Sequence, residues 1–114
     1  MNDCIFCKIA AGEIPCKKAW EDGNVLAFHD IHPQAPVHVL IIPKAHVAAG
    51  AGEISSGNSA LVGKCFEVIA KLAGELDLVS GFRVVTNSGP AAGQTVPHLH
   101  FHMLAGKDLS LIMG

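Results

Sequence analysis

The sequence has no block of like charge, no long apolar run and no internal repeat. Only 16% of its 114 residues are charged, and the formal net charge is −2. That excludes the electrostatic footprint of a protein built to bind DNA, RNA or an anionic membrane surface. Mean hydropathy is positive, at +0.40. Yet the apolar runs are as short as Val39-Leu40-Ile41-Ile42, far below the ~20 residues needed to cross a bilayer. The opening residues Met1-Asn2-Asp3-Cys4 lack the basic segment of a secretory signal. The expectation is a single cytoplasmic domain over residues 1–114, with no nucleic-acid or membrane partner.

Half of the residues are hydrophobic, enough at this length for a core without disulfides. The pattern along the chain predicts an α+β fold. Ile5, Phe6 and Ile9 fall at helical spacing before Gly12, which predicts a short first helix over residues 3–11. Residues 17–20 and 25–29 read as two strands joined by the turn Glu21-Asp22-Gly23-Asn24. Pro33 and Pro36 make residues 31–36 a loop, and residues 37–42 form the next strand. Residues 59–76 are one long helix, with Leu61, Cys65, Ile69, Leu72 and Leu76 on its apolar stripe. Strands at 82–87 and 98–104 complete the set. With too few crossover helices for a parallel sheet, the five strands must be mainly antiparallel.

The last strand holds His98-Leu99-His100-Phe101-His102-Met103-Leu104. Alternate residues of a strand share a face. Three imidazoles therefore line one face, and Leu99, Phe101 and Met103 line the other, toward the long helix. Taken singly, His29, His32 and His38 read as structural or incidental. Three histidines at a strict period of two do not, because imidazole offers a strand nothing that Thr or Val lacks. They point either to a metal site or to nucleophilic and acid–base chemistry near neutral pH. Just upstream lies Gly89-Pro90-Ala91-Ala92-Gly93-Gln94-Thr95. Beside three histidines this loop reads as a phosphate cradle, its backbone N–H groups and the Gln94 and Thr95 side chains turned toward an anion. As a bare connection it would need glycine only for turning.

Cys4 and Cys7 form a Cys-x-x-Cys pair at the N-terminus. The spacing is too tight to staple distant elements, and in a reducing compartment it reads as metal-binding or redox. Two thiols are half of a tetrahedral zinc site, and His46 and His98 are candidates for the other half. A redox pair or two ordinary core cysteines are the alternatives.

The run from His98 to Leu104 resembles the signature of the histidine-triad superfamily, nearest to its nucleotide-binding, nucleoside phosphoramidase branch. Cys4-Ile5-Phe6-Cys7, Gly12-Glu13-Ile14-Pro15, Ala27-Phe28-His29-Asp30-Ile31, Pro33-Gln34-Ala35-Pro36, Ile42-Pro43-Lys44-Ala45-His46, Val85-Thr86-Asn87 and Gly93-Gln94-Thr95 resemble family landmarks in family order. The resemblance implies a hydrolase of purine nucleoside 5′-phosphoramidates, acting on AMP or GMP derivatives. His100 would be the nucleophile and form a covalent nucleotidyl-histidine. The His98 carbonyl would fix the His100 tautomer, and His102 would donate to a phosphate oxygen. Gly93, Gln94 and Thr95 would hold the phosphate or assist the leaving group, and Asn87 would contact the phosphate or the 5′-oxygen. Asp30 would accept from the ribose hydroxyls, with His29 beside it, and Phe6, Phe28 and Ile31 would wall the base pocket. The resemblance also implies a structural Zn2+ on Cys4, Cys7, His46 and His98, and a homodimer.

Three positions depart from the family pattern. Leu111 stands near a place where close relatives often carry tryptophan, Thr95 where serine is common, and His32 where a small residue is common. Dinucleoside polyphosphate hydrolysis, nucleotidyl transfer and a purely nucleotide-binding regulatory role are the alternative functions.

Overall fold

A computed structural model describes residues 3–110 of the chain. Leu111 and the rest of the tail singled out above lie outside the described residues. The elements run α1 (Ile5–Ala10), β1 (Lys18–Glu21), β2 (Val25–His29), β3 (Val37–Pro43), α2 (Ser59–Glu75), β4 (Arg83–Val85) and β5 (Phe101–Ala105). Short 3-10 turns occupy Ala51–Glu53 and Pro90–Ala92. The five strands form one antiparallel sheet in the order β1-β2-β3-β5-β4. This is the expected α+β architecture. No described helix is long and apolar enough to cross a membrane.

The strands alternate strictly, and this alternation divides the core in two. Val25, Ala27, Val39, Ile41, Leu99, Phe101 and Met103 pack on one face against Cys65, Val68, Ile69 and Leu72 of α2. Leu26, Phe28, Leu40 and Ile42 face the other way and pack against Phe6 and Ile9 of α1. The sheet is therefore covered by the long helix on one side and by the short one on the other. Leu76, placed on the buried stripe by its spacing, is 37% exposed just past the end of α2.

Two strand boundaries differ from the expectation. β4 is only Arg83–Val85. β5 begins at Phe101, so His98 and His100 precede the regular strand. The cause lies in the partner strand. Ile41 pairs with Phe101, and two residues further on β3 ends at Pro43, which has no N–H to offer a ladder. The chain from 98 to 100 finds other partners instead. The Leu99 N–H donates to the Ala48 carbonyl (2.9 Å), and the His98 N–H to Val96 (2.9 Å). Leu99 still packs with the α2-side core, so the alternation of side chains survives the loss of the ladder.

Candidate active site and metal centre

The triad emerges on the sheet face away from α2. His102 lies opposite Leu40 of β3 and Val85 of β4, in the middle of the sheet. His38 is opposite Leu104, so His38 and His102 form a diagonal cross-strand pair on one face. Their rings meet at 2.9 Å, His38 Nε2 to His102 Nδ1. The direction of that bond follows from the other side of His38. The Gln34 N–H donates to His38 Nδ1 (3.0 Å), so the proton of a neutral His38 is on Nε2. His38 Nε2–H therefore donates to His102 Nδ1, and lies 3.5 Å from Asp30 Oδ2. His102 is left with its own proton on Nε2, as a neutral donor. Burial pushes the pKa of His102 down to about 4, helped by repulsion from His100 and His38.

His100 is held in the complementary state. Its Nδ1–H donates to the His98 carbonyl (2.7 Å), so the lone pair is on Nε2. That nitrogen makes no hydrogen bond among the described residues, and no buried side-chain nitrogen or oxygen lacks a partner. Nε2 is therefore open to the cavity that His100 lines. Burial depresses the His100 pKa as well and favours the unprotonated ring. The Thr86 hydroxyl donates to the His100 carbonyl (2.7 Å), and Phe6 stands edge-on to the ring at 5.0 Å. The triad supplies an acceptor nitrogen and a donor nitrogen on rings 5.1 Å apart.

Both rings border a cavity of about 310 Å³. Phe6, Phe28, His29, Asp30, Ile31 and Thr95 also line it, so the structure brings most of the expected site residues together. Its lining is mostly apolar away from the histidines, and Ile31 stands 87% exposed at the mouth. The Asp30 carboxylate is already oriented, since its Oδ1 accepts from the His32 N–H (2.8 Å). His32 contributes there through its backbone, and its carbonyl accepts from Gln34 Nε2 (3.2 Å).

Gln94, Gly93 and Asn87 stand apart from that lining. The Gln94 amide is fully engaged within the protein. Its Nε2 donates to the Ala49 carbonyl (2.5 Å) and the Val96 carbonyl (3.0 Å), and its Oε1 accepts from the Gly89 N–H (2.7 Å). Both amide hydrogens are spent, so Gln94 clamps the glycine loop to the segment after β3 and presents no donor to an anion. Gly93 takes the left-handed conformation that closes the 3-10 turn (φ 86°). Asn87 is half-buried beyond β4.

Cys4, Cys7, His46 and His98 converge at the edge of this site. All four ligand atoms lie within 4.8 Å of one another. His98 Nδ1 is 3.2 Å from Cys4 Sγ and 3.5 Å from Cys7 Sγ, and His46 Nδ1 is 3.3 Å from Cys7 Sγ. A tetrahedral ion with Zn–S and Zn–N bonds of roughly 2.3 and 2.0 Å needs ligand atoms about 3.3–3.8 Å apart. The His98 tautomer agrees, because Nε2 donates to the Pro43 carbonyl (2.8 Å) and leaves Nδ1 as the ligand atom. The four residues fit a tetrahedral metal ion. A second cluster, Asp30, His38 and His102, is close enough to hold an ion, but His38 Nε2 carries a proton there and is a donor. Cys65 stays in the core, where burial raises its thiol to about 12.

A profile of the HIT domain matches residues 11–109. The chain belongs to the HIT family. Among HIT proteins it is 42% identical to Protein HitA of Neisseria gonorrhoeae over 104 residues, covering 91% of this chain and 96% of that protein. The solved structure of the HIT family hydrolase from Clostridium thermocellum superposes with a TM-score of 0.92, at 45% identity and 96% coverage of both chains. The histidine triad nucleotide-binding protein from Candida albicans superposes with a TM-score of 0.83 at 40% identity, over 93% of this chain and 76% of that one.

His38 and Thr86 are the functional candidates that the reading by sequence passed over. A signal for His38 existed. Residues 38, 40 and 42 share a face of β3, so pairing β3 with the triad strand puts His38 on the triad's face. Thr86 acts through one hydroxyl and leaves no pattern.

Proposed function

We propose that this HIT protein hydrolyses purine nucleoside 5′-phosphoramidates through a nucleotidyl-His100 intermediate. The observation that carries the reading is the His100 tautomer, with Nδ1–H tied to the His98 carbonyl and Nε2 open to the cavity. The nearness of a hydrolase and a nucleotide-binding protein among its relatives supports the substrate class.

In the first step the Nε2 lone pair attacks the α-phosphorus. A P–N bond to His100 forms, the P–N bond to the leaving amine breaks, and the amine departs with a proton taken from solvent, which the attacking water returns to solvent in the second step. The neutral His102 Nε2–H stabilises the charge that builds on a phosphate oxygen. Thr95, an exposed residue that lines the cavity, serves the leaving group. In the second step water attacks phosphorus, releases the nucleoside monophosphate and restores His100. Phe6, Phe28 and Ile31 take the base, and Asp30, with His29 near it, takes the ribose hydroxyls. Gln94 and Gly93 act by shaping the loop, and Asn87 receives no role in contact with substrate.

Cys4, Cys7, His46 and His98 would hold a Zn2+ ion, which when bound cross-links α1 to the sheet. The protein pairs as a homodimer in this reading. Support comes from the position of β4 at the edge of the sheet that the described residues form, and from Phe66 on α2 and Phe82 before β4, which are 47% and 40% exposed.

The test is hydrolysis of an adenosine 5′-phosphoramidate with a fluorescent amine leaving group. His100→Ala is expected to lose at least about 10³-fold in rate while still binding AMP. Equal activity in both proteins, or none in either, would overturn the reading.

A further inference from the structure

We propose that Phe6 couples metal binding at Cys4, Cys7, His46 and His98 to nucleotide binding in the triad cavity, so that each ligand tightens the other. The inference rests on the nucleotide reading above.

α1 has only six residues. A helix so short gains too few backbone hydrogen bonds to offset its nucleation and depends on outside anchors. It has two. One is the burial of Phe6 and Ile9 against Leu26, Phe28, Leu40 and Ile42. The other is the cysteine pair, which brackets Phe6 in sequence. Cys4 is the N-cap, its Sγ accepting from the Cys7 N–H (3.3 Å).

Phe6 lies between the two sites and touches both. Its ring is 6.0 Å from the His98 ring on the metal side. On the nucleotide side it is edge-on to His100 at 5.0 Å and to Phe28 at 5.7 Å. Ile5 and Ile9 of the same helix line the cavity with it, as do Ile14 and Cys16 just beyond. One wall of the cavity is thus the segment that the metal would fasten. With the ion bound, the wall is preorganised and a base meets a formed surface. Without it, nucleotide binding must first order α1. Thermodynamic linkage requires the reciprocal effect, with nucleotide raising metal affinity by the same factor.

The experiment measures AMP binding by calorimetry to zinc-loaded protein and to chelator-stripped protein, with far-UV circular dichroism on both. The expected result is an AMP dissociation constant about tenfold higher after stripping, restored by zinc. In a competition with a chromophoric chelator, AMP should tighten zinc binding by the same factor. Phe6→Ala should weaken AMP binding in the loaded protein and reduce both factors to near one. Phe6→Leu replaces it if the alanine variant is misfolded. An AMP affinity indifferent to zinc would overturn the coupling, as would a coupling that survives in the Phe6 variant. Global unfolding on stripping would also overturn it, since the ion would then support the whole fold. Zinc-loaded protein that binds no AMP would refute the nucleotide reading itself, and the coupling with it.

Discussion

Replacing His38 tests whether the two-ring relay matters to the chemistry. His38 is buried and touches no substrate in this reading, but its Nε2–H donates at 2.9 Å to His102 Nδ1 and fixes which nitrogen of His102 carries the proton. A hydrogen bond of this kind is worth about 1–1.5 kcal/mol net. His38→Ala removes it and lets the opposite His102 tautomer compete. At 1.36 kcal/mol per factor of ten, the ratio of the donor tautomer to the other falls by about one order of magnitude, which takes the donor fraction from roughly nine-tenths to roughly half. kcat/KM should therefore drop about twofold through the tautomer alone and by up to about tenfold where the same bond also holds the ring in place, less than the ~10²–10³ lost when a transition-state donor is removed outright. AMP affinity should stay within about twofold of wild type by this reasoning. The His102 ring gives a second readout by NMR titration. Without the donor to Nδ1 and with water entering beside the ring, the His102 pKa rises from about 4. His38→Gln keeps an N–H near the same place and should recover part of the rate. Full activity in His38→Ala, or a loss of AMP affinity that matches the loss in kcat/KM, would refute the relay.

Two further predictions concern stability. Gln94→Ala removes three hydrogen bonds, two that join the glycine loop to residues 49 and 96 and one to Gly89 within the loop. It should cost about 2–4 kcal/mol and lower Tm by on the order of 10 °C in differential scanning calorimetry. A large rate loss with unchanged Tm would instead make Gln94 a phosphate contact. The second follows from His102, whose pKa falls from 6.5 to about 4 through burial and its histidine neighbours. His38 shifts the same way, burial outweighing the pull of Asp30. Between pH 6.5 and about 4 the unfolded chain binds more protons than the folded one, so stability must fall as pH falls through that window. The His102 contribution is on the order of 3 kcal/mol at most. Urea unfolding at pH 7 and pH 5 reads it, and equal stability would refute the assignment.

The parts of the fold that depend on period were legible from the sequence. The apolar runs at 25–29 and 37–42, bounded by turn and proline residues, announced two strands, and both faces are indeed used. The four-residue repeat of Cys65, Ile69 and the residues around them located α2. What was not legible depends on partners distant in sequence. The start of β5 is set by Pro43, some sixty residues earlier, because a strand needs an N–H opposite it. Gln94 looked like an anion donor because its sequence neighbours are glycines and Thr95. Its hydrogens are consumed by Ala49, which only the tertiary fold brings near. His38 looked incidental because a single histidine in a strand carries no period of its own.

The three triad histidines are chemically identical, so their different tasks must come from the group each one touches through its second nitrogen. His98 donates through Nε2 to Pro43 and turns a bare Nδ1 toward two thiols. His100 donates through Nδ1 to the carbonyl of His98 and turns a bare Nε2 toward the cavity. His102 accepts at Nδ1 from His38 and must keep its proton on Nε2. A ligand, a nucleophile and a donor result from one residue type with three hydrogen-bond partners. The partners also make the order of the three non-interchangeable. His98 is the one whose backbone carbonyl serves the nucleophile, so a shift that disturbs its side chain at the metal centre reaches His100 through a single 2.7 Å bond. A substitution at His46, which removes a ligand but leaves His98 in place, should therefore harm catalysis less than a substitution at His98 for the same loss of metal. Parallel metal and rate measurements on His46→Ala and His98→Ala separate the two effects. Equal rate loss in both would mean that the carbonyl of residue 98 keeps its position without its own side chain's anchors.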